Sequence, residues 1–151
     1  LLEMIQTPKE KLENVQKEST YAVLEALQIQ NELEPNEIES FISEFLNKNN
    51  LEKEDIDAVV FGNNGDVSFD NYYTSAGSLF IQIPQIYYKH LCGEFNTASA
   101  FGFWVAASIL KNQVIPSSVK MNAIEKSNFS KVLLYNQFQG KDHSLVLLSK
   151  C

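Results

Sequence analysis

The segment that most restricts what this chain can fold into is residues 97–113, apolar on nearly every side and rich in the small residues Ala98, Ala100, Gly102, Ala106 and Ala107. A surface helix shows one apolar stripe, so a helix apolar almost all round predicts burial on most of its sides. Its longest apolar stretch, 98–110, contains Ser99, Gly102 and Ser108 and is shorter than the roughly 20 residues a membrane span needs. The expectation is a central helix inside a layered domain, with no membrane association.

The remaining patterns supply the layers. Residues 1–6 read as a strand, and residues 7–19 as a mobile connector whose 8–19 portion is charged and rich in lysine and glutamate. Residues 20–30 mix β-formers (Tyr21, Val23, Ile29) with Ala and Leu, and strand is favoured over helix. After Pro35, the side chains Ile38, Phe41, Ile42, Phe45 and Leu46 fall at i, i+3, i+4, i+7 and i+8, the stripe of an amphipathic helix that Asn49-Asn50 ends. Residues 58–61 (Ala-Val-Val-Phe) form a short run of the kind a strand buried on both faces shows. A helix is expected over 70–80 with Asp70 as N-cap, and a short strand over 83–88 interrupted by Pro84. Two closing apolar runs, 132–135 and 144–148, predict a hairpin whose loop, 136–143, contains Gly140. The fold class is therefore mixed α/β, a single domain over 1–151.

Length and charge limit the partners. A chain of 151 residues buries about 68–70% of its unfolded surface, enough for a real core. All twelve basic residues are lysines and the net charge is −7, so the forked guanidinium that grips phosphates and bases is absent and nucleic-acid binding is not expected. The same acidity repels acidic partners unless local lysines such as Lys9, Lys11 or Lys17 offset it. Cys92 and Cys151 lack metal-ligand spacing, no metal or cofactor is expected, and reduced thiols suit the cytoplasm. The chain opens at Leu1 without a basic leader, as a fragment would.

Three polar turns, 62–70, 89–97 and 136–142, follow apolar strands or precede helices, where α/β sheets place their sites. The first reads Gly62-Asn63-Asn64-Gly65-Asp66 with Asp70 beyond it; the second Lys89-His90-Leu91-Cys92-Gly93-Glu94 running into Thr97-Ala98; the third Gln137-Phe138-Gln139-Gly140-Lys141-Asp142. Together, from about Tyr21 to Leu148, they resemble the C-terminal half of the β-ketoacyl synthases, condensing enzymes of thiolase fold. The family's His-Gly-Thr-Gly-Thr turn is matched at Gly65 and Asp70, with Gly62 at the histidine position. Its Lys-Ser-x-x-Gly-His motif is matched at Lys89 and Gly93, with Glu94 at the histidine. Its Gly-Phe-Gly-Gly-x-Asn loop is matched by Phe138 and Gly140.

The resemblance implies a thiolase-like half, a layered mixed five-stranded sheet with helices on its faces. It implies catalytic positions at Lys89, Glu94 and Asn96 and substrate contacts at Gly65, Asp70 and Phe138, the last at the gate of an acyl pocket. In the family two histidines polarise a thioester carbonyl and stabilise an enolate, a task for hydrogen-bond donors. Gly62 has no side chain to donate, and Glu94 donates only if protonated. Asn96-Thr97-Ala98 also resembles the asparagine-bearing turn of the chain-initiating branch, which makes Asn96 a second donor candidate. Simpler readings stand beside these: Glu94 near a helix N-terminus, His90 packed on Tyr87 or Tyr88, Cys92 a structural thiol, Lys89 an exposed strand-end lysine.

The nucleophilic cysteine of that family lies in its N-terminal half, which nothing here resembles. The implied function is the C-terminal part of a divergent synthase, condensing an acyl thioester with malonyl-carrier protein in fatty-acid, polyketide or polyene-type elongation. The alternative is a silent chain-length-factor-like subunit that shapes an acyl pocket. The implied partners are acyl carrier protein, acyl and malonyl thioesters, and an N-terminal ketosynthase half, within a homo- or heterodimer. On this reading Glu94→His raises decarboxylation.

Overall fold

Alternation along three strands builds the molecule. In the computed structural model, which describes residues 5–6 and 20–151, Ala58 and Val60 face one side of β3 (Ala58–Phe61) while Val59 and Phe61 face the other. The same split puts Val132 and Leu134 of β5 (Lys131–Phe138) opposite Leu133 and Tyr135, and Val146 and Leu148 of β6 (Asp142–Ser149) opposite Leu145 and Leu147. Successive strand side chains point to opposite faces, so a continuous apolar run makes two cores at once.

Five strands carry this sheet, as expected, with the two-residue β1 (Ile5–Gln6) added at one edge. The order is β1-β2-β6-β5-β3-β4, where β2 is Ala22–Asn31 and β4 is Gln85–Tyr87. β3 runs parallel to β4 and β5; β6 runs antiparallel to β5 and β2. The mixed α/β reading and the strand at 20–30 hold. Of the strand read over 1–6, only Ile5–Gln6 is described; the connector over 7–19, with Lys9, Lys11 and Lys17, lies outside the described residues.

One face is covered by α1 (Ile38–Lys48) and α2 (Asp70–Ser78). All five residues of the α1 stripe are buried, each contributing about 1.5–3 kcal/mol through removal from water. The helix stops where Asn49 bonds back to the Phe45 carbonyl and Asn50 takes a left-handed φ of 57°, a conformation asparagine tolerates. The other face is covered by α4 (Ala98–Asn112), with Ala98, Gly102, Val105, Ala106, Ile109 and Leu110 turned to the sheet. Gly102 is required: a Cβ there would lie 2.4 Å from the buried Tyr88 ring. Gln113 ends α4 with φ 58° and ties it down by exchanging hydrogen bonds with both backbone groups of Phe129.

Three expectations need correction. α4 is an outer layer and not a central helix: Ala100, Trp104 and Asn112 are exposed, Trp104 by 43%, and no second layer lies above that stripe among the described residues. The hairpin strands run further than their apolar runs, leaving only residues 139–141 as the loop, since Gln137 and His143 are buried with polar partners and continue the ladder. Asp70 is the first residue of α2 and not its cap. The side-chain cap belongs to Asp66, which accepts from the Ser68 amide of the preceding turn.

Candidate functional site

The connections from β3 lead out to β4 and return to β5 on the other side of β3. Such a reversal opens a crevice at the carboxyl ends of parallel strands, where α/β proteins bind ligands. The turn 62–66, the start of α3 (Lys89–Cys92) and the end of β5 all meet there.

Lys89, the first residue of α3, is buried. It is 3% exposed, and its Nζ donates to Glu94 Oε2 at 2.7 Å, to which Asn64 Nδ2 also donates at 3.0 Å. A buried ammonium is costly without a counterion, so Glu94 is first the partner of Lys89. The exposed-lysine reading is wrong. Glu94 does lie just ahead of Thr97, the N-cap of α4, but its direct partners are Lys89 and Asn64. As an acceptor for two protein donors, Glu94 does not serve as the donor that the family chemistry asks of its position. A histidine there would set an imidazole beside the buried ammonium, which removes the ground for expecting Glu94→His to raise decarboxylation.

Glu94, Asn96 and Phe138 line one cleft of about 260 Å³ together with Phe95, Ser99, Asn136 and Asp142. Glu94 and Phe138 also border a second cleft of about 440 Å³ with Asn64, Asp66 and Lys141. Lys89, Glu94, Asn96 and Phe138 are thus brought together. Gly65 stands in the turn between Asn64 and Asp66 with φ 85°, a conformation that favours glycine, and Asp70 lines neither cleft. His90 is a packed side chain: its ring stacks on Tyr87 at 4.0 Å and its Nε2 is 2.7 Å from the Ser118 carbonyl. Burial pushes the Cys92 thiol above its ordinary range, which suits a structural thiol.

Asn136 was missed by the motif comparison. It follows Val132 and Leu134 at every second position, so it faces the α4 side of the sheet, and a polar residue at an inward register was the available signal. Tyr88, made fully buried by the gap at Gly102, donates to Asn136 Oδ1 at 3.4 Å. Burial, with smaller contributions from Tyr73, Glu94 and Cys92, raises the Tyr88 pKa far above the ordinary phenol range, so this donor stays protonated. Tyr73 holds the neighbouring turn, donating to the Gly62 carbonyl at 2.9 Å.

No cluster of three or more metal-ligating side chains occurs among the described residues, and none of their helices is long and apolar enough to cross a membrane. No protein-family model matches the chain, and no curated protein matches it in sequence. Solved structures do. A protein described as PfaC Keto synthase-Chain length factor superposes on 91% of this chain with a TM-score of 0.67 at 15% identity, the match covering 14% of that chain. The ishigamide ketosynthase/chain length factor matches 87% of this chain with a TM-score of 0.71 at 12% identity, over 38% of its own length. Ketosynthase twelve of the bacillaene polyketide synthase in Bacillus amyloliquefaciens matches 87% with a TM-score of 0.68 at 12% identity, over 30% of its length. The chain therefore has the fold of a thiolase-like ketosynthase half, and spans well under half of each of these structures.

Proposed function

We propose that this chain is the C-terminal half of a divergent β-ketoacyl-synthase-type unit that handles acyl thioesters of a carrier protein in fatty-acid, polyketide or polyene-type elongation. The observation that carries the reading is the convergence of Lys89, Glu94, Asn96 and Phe138 at the carboxyl ends of β3, β4 and β5, at the motif positions that resemble the family's.

The nucleophile comes from an N-terminal half that lies over the open face of α4. That face carries an apolar groove of about 340 Å³ lined by Leu91, Phe101, Trp104, Val114 and Val119 among others, the type of surface that marks an interaction site. The neighbours' extra length supports a covering half of the same kind. Homo- or heterodimeric assembly and a cytoplasmic setting for the free thiols of Cys92 and Cys151 complete the reading.

A silent chain-length-factor-like subunit is favoured by one specific observation: neither family histidine position presents a donor, since residue 62 is glycine and Glu94 accepts from Lys89 and Asn64. Malonyl-carrier-protein decarboxylation and condensation, measured on the intact protein alone and mixed with partner synthase subunits, separate the two. Activity alone establishes the synthase. Activity only in the mixture, lost when the chain is withheld, establishes the silent subunit. An absence of activity in every combination, with no acyl thioester bound, sinks both.

A further inference from the structure

We propose that the Asn136 carboxamide is the carbonyl-binding donor of this cleft, standing in the space that a side chain at position 62 would occupy. The inference rests on the acyl-thioester reading above and names the group that meets the thioester oxygen.

Two glycines make the placement possible. A Cβ on Gly62 would lie 2.1 Å from Asn136 Oδ1, and one on Gly102 would lie 2.4 Å from Tyr88 Cε1. No real Cβ tolerates such distances, so the side chain of residue 136 has taken over the volume in front of residue 62, and Tyr88 fills the gap opened in α4. The Tyr88 hydroxyl then donates to Asn136 Oδ1, which fixes the amide's acceptor toward the protein. Its Nδ2 donors meet no acceptor among the hydrogen bonds of the described residues, and Asn136 is part of the wall of the 260 Å³ cleft.

An anchored amide in a cleft wall, with N–H groups that no protein acceptor claims, suits a ligand acceptor such as a carbonyl oxygen, where it performs the oxyanion-type task that histidines at positions 62 and 94 would otherwise share. Asn96, on the same wall, is a second amide but has no comparable anchor. Glu94 and Asp142 also line the cleft and offer only acceptors when ionised, and the Ser99 hydroxyl on the same wall has no anchoring hydrogen bond among those of the described residues, which leaves Asn136 as the anchored donor.

The test is the affinity of the intact protein for malonyl-pantetheine and for a thioether analogue that lacks the thioester carbonyl. The wild type should prefer the thioester. Asn136→Ala should weaken thioester binding about 3- to 10-fold, the range of one neutral hydrogen bond, and leave the thioether unchanged. Asn136→Asp keeps the shape and the acceptor for Tyr88 but deletes the N–H donors, so it should lose the preference with the fold retained. A parallel steric test uses thermal unfolding: Gly62→Ala should destabilise the wild type but not the Asn136→Gly background. Thioester binding unchanged in both Asn136 variants overturns the proposal while leaving the acyl-thioester reading intact. Failure of the wild type to bind either pantetheine overturns both.

Discussion

The two faces of the sheet are finished to different degrees. On the α1/α2 face, Ile38, Phe41, Ile42, Phe45 and Leu46 are at most 5% exposed and close over Val59, Phe61, Leu133 and Leu147. On the α4 face, Leu91, Phe95 and Trp104 are 43–52% exposed, and Leu27 and Ile29 of β2, on the same side as Val146, are 58% and 65% exposed. A buried apolar side chain that gains nothing from a partner is there for stability. An exposed apolar strip beside a polar cleft is there for something that comes to cover it. The closed face holds the domain together, and the open face is the one on which the proposed covering half and acyl ligand would be met.

The comparison breaks first if the two faces weigh equally in stability. Phe45→Ala leaves a cavity in a closed core and should cost about 3–5 kcal/mol in chemical denaturation. Trp104→Ala, of similar bulk, should cost about 1 kcal/mol or less, because much of its ring is already in water. Equal losses would mean that α4 is more tightly covered in solution than its exposure indicates.

Each side also carries a buried titratable group, held in opposite ways. On the open side Lys89 is paired with the Glu94 carboxylate at 2.7 Å. Glu94→Gln removes the counterion and should cost about 2–3 kcal/mol, below the full value for a wholly buried pair because the Glu94 side chain is 30% exposed. Adding Lys89→Met should recover most of the loss. A double variant as unstable as the single one would show that the pair is not what keeps Lys89 tolerable.

On the closed side His143 is kept neutral. It is fully buried between Tyr72 and Tyr135, with the Tyr135 hydroxyl 3.0 Å from Nδ1. Burial lowers its pKa below the ordinary 6.5, against the opposing Gly140 carbonyl and Asp142 carboxylate. The unfolded chain therefore binds a proton that the folded one refuses. Above pH 6.5 both states are neutral at this residue and its contribution to stability is complete. As the pH falls from 6.5 through the lowered folded value, stability drops by at most about 1.4 kcal/mol per unit from this group. Unfolding curves of wild type and His143→Phe should diverge in shape in that window only; parallel curves would remove His143 from the account.

What the sequence made legible follows the same division. The closed face was readable because each of its signals is local: the 3.6-residue stripe of α1 and the buried run of β3 specify their own partners. The apolar breadth of 97–113 was also visible, but one chain cannot reveal how many layers cover a helix. At the site, motif position pointed to Lys89, which is buried against Glu94. The Lys89–Glu94–Asn64 network was not legible, since Asn64 and Glu94 are 30 residues apart and only the strand crossovers bring them together. Asn136 was hidden by its polarity, which made the end of β5 look like loop. Its clash with any Cβ on Gly62 is a fact of three dimensions.

The smallest effect sharpens the comparison most. Leu27→Ser and Ile29→Ser alter side chains already in water, so together they should shift the unfolding free energy by about 0.5 kcal/mol or less. The same two substitutions should weaken association of the open face with the proposed covering half, measured as loss of co-elution of the two halves expressed as separate chains. A stability loss as large as that of Phe45→Ala would mean that Leu27 and Ile29 are covered within this chain after all. Unchanged stability together with unchanged association would remove β2 from the partner surface and confine it to the groove along α4.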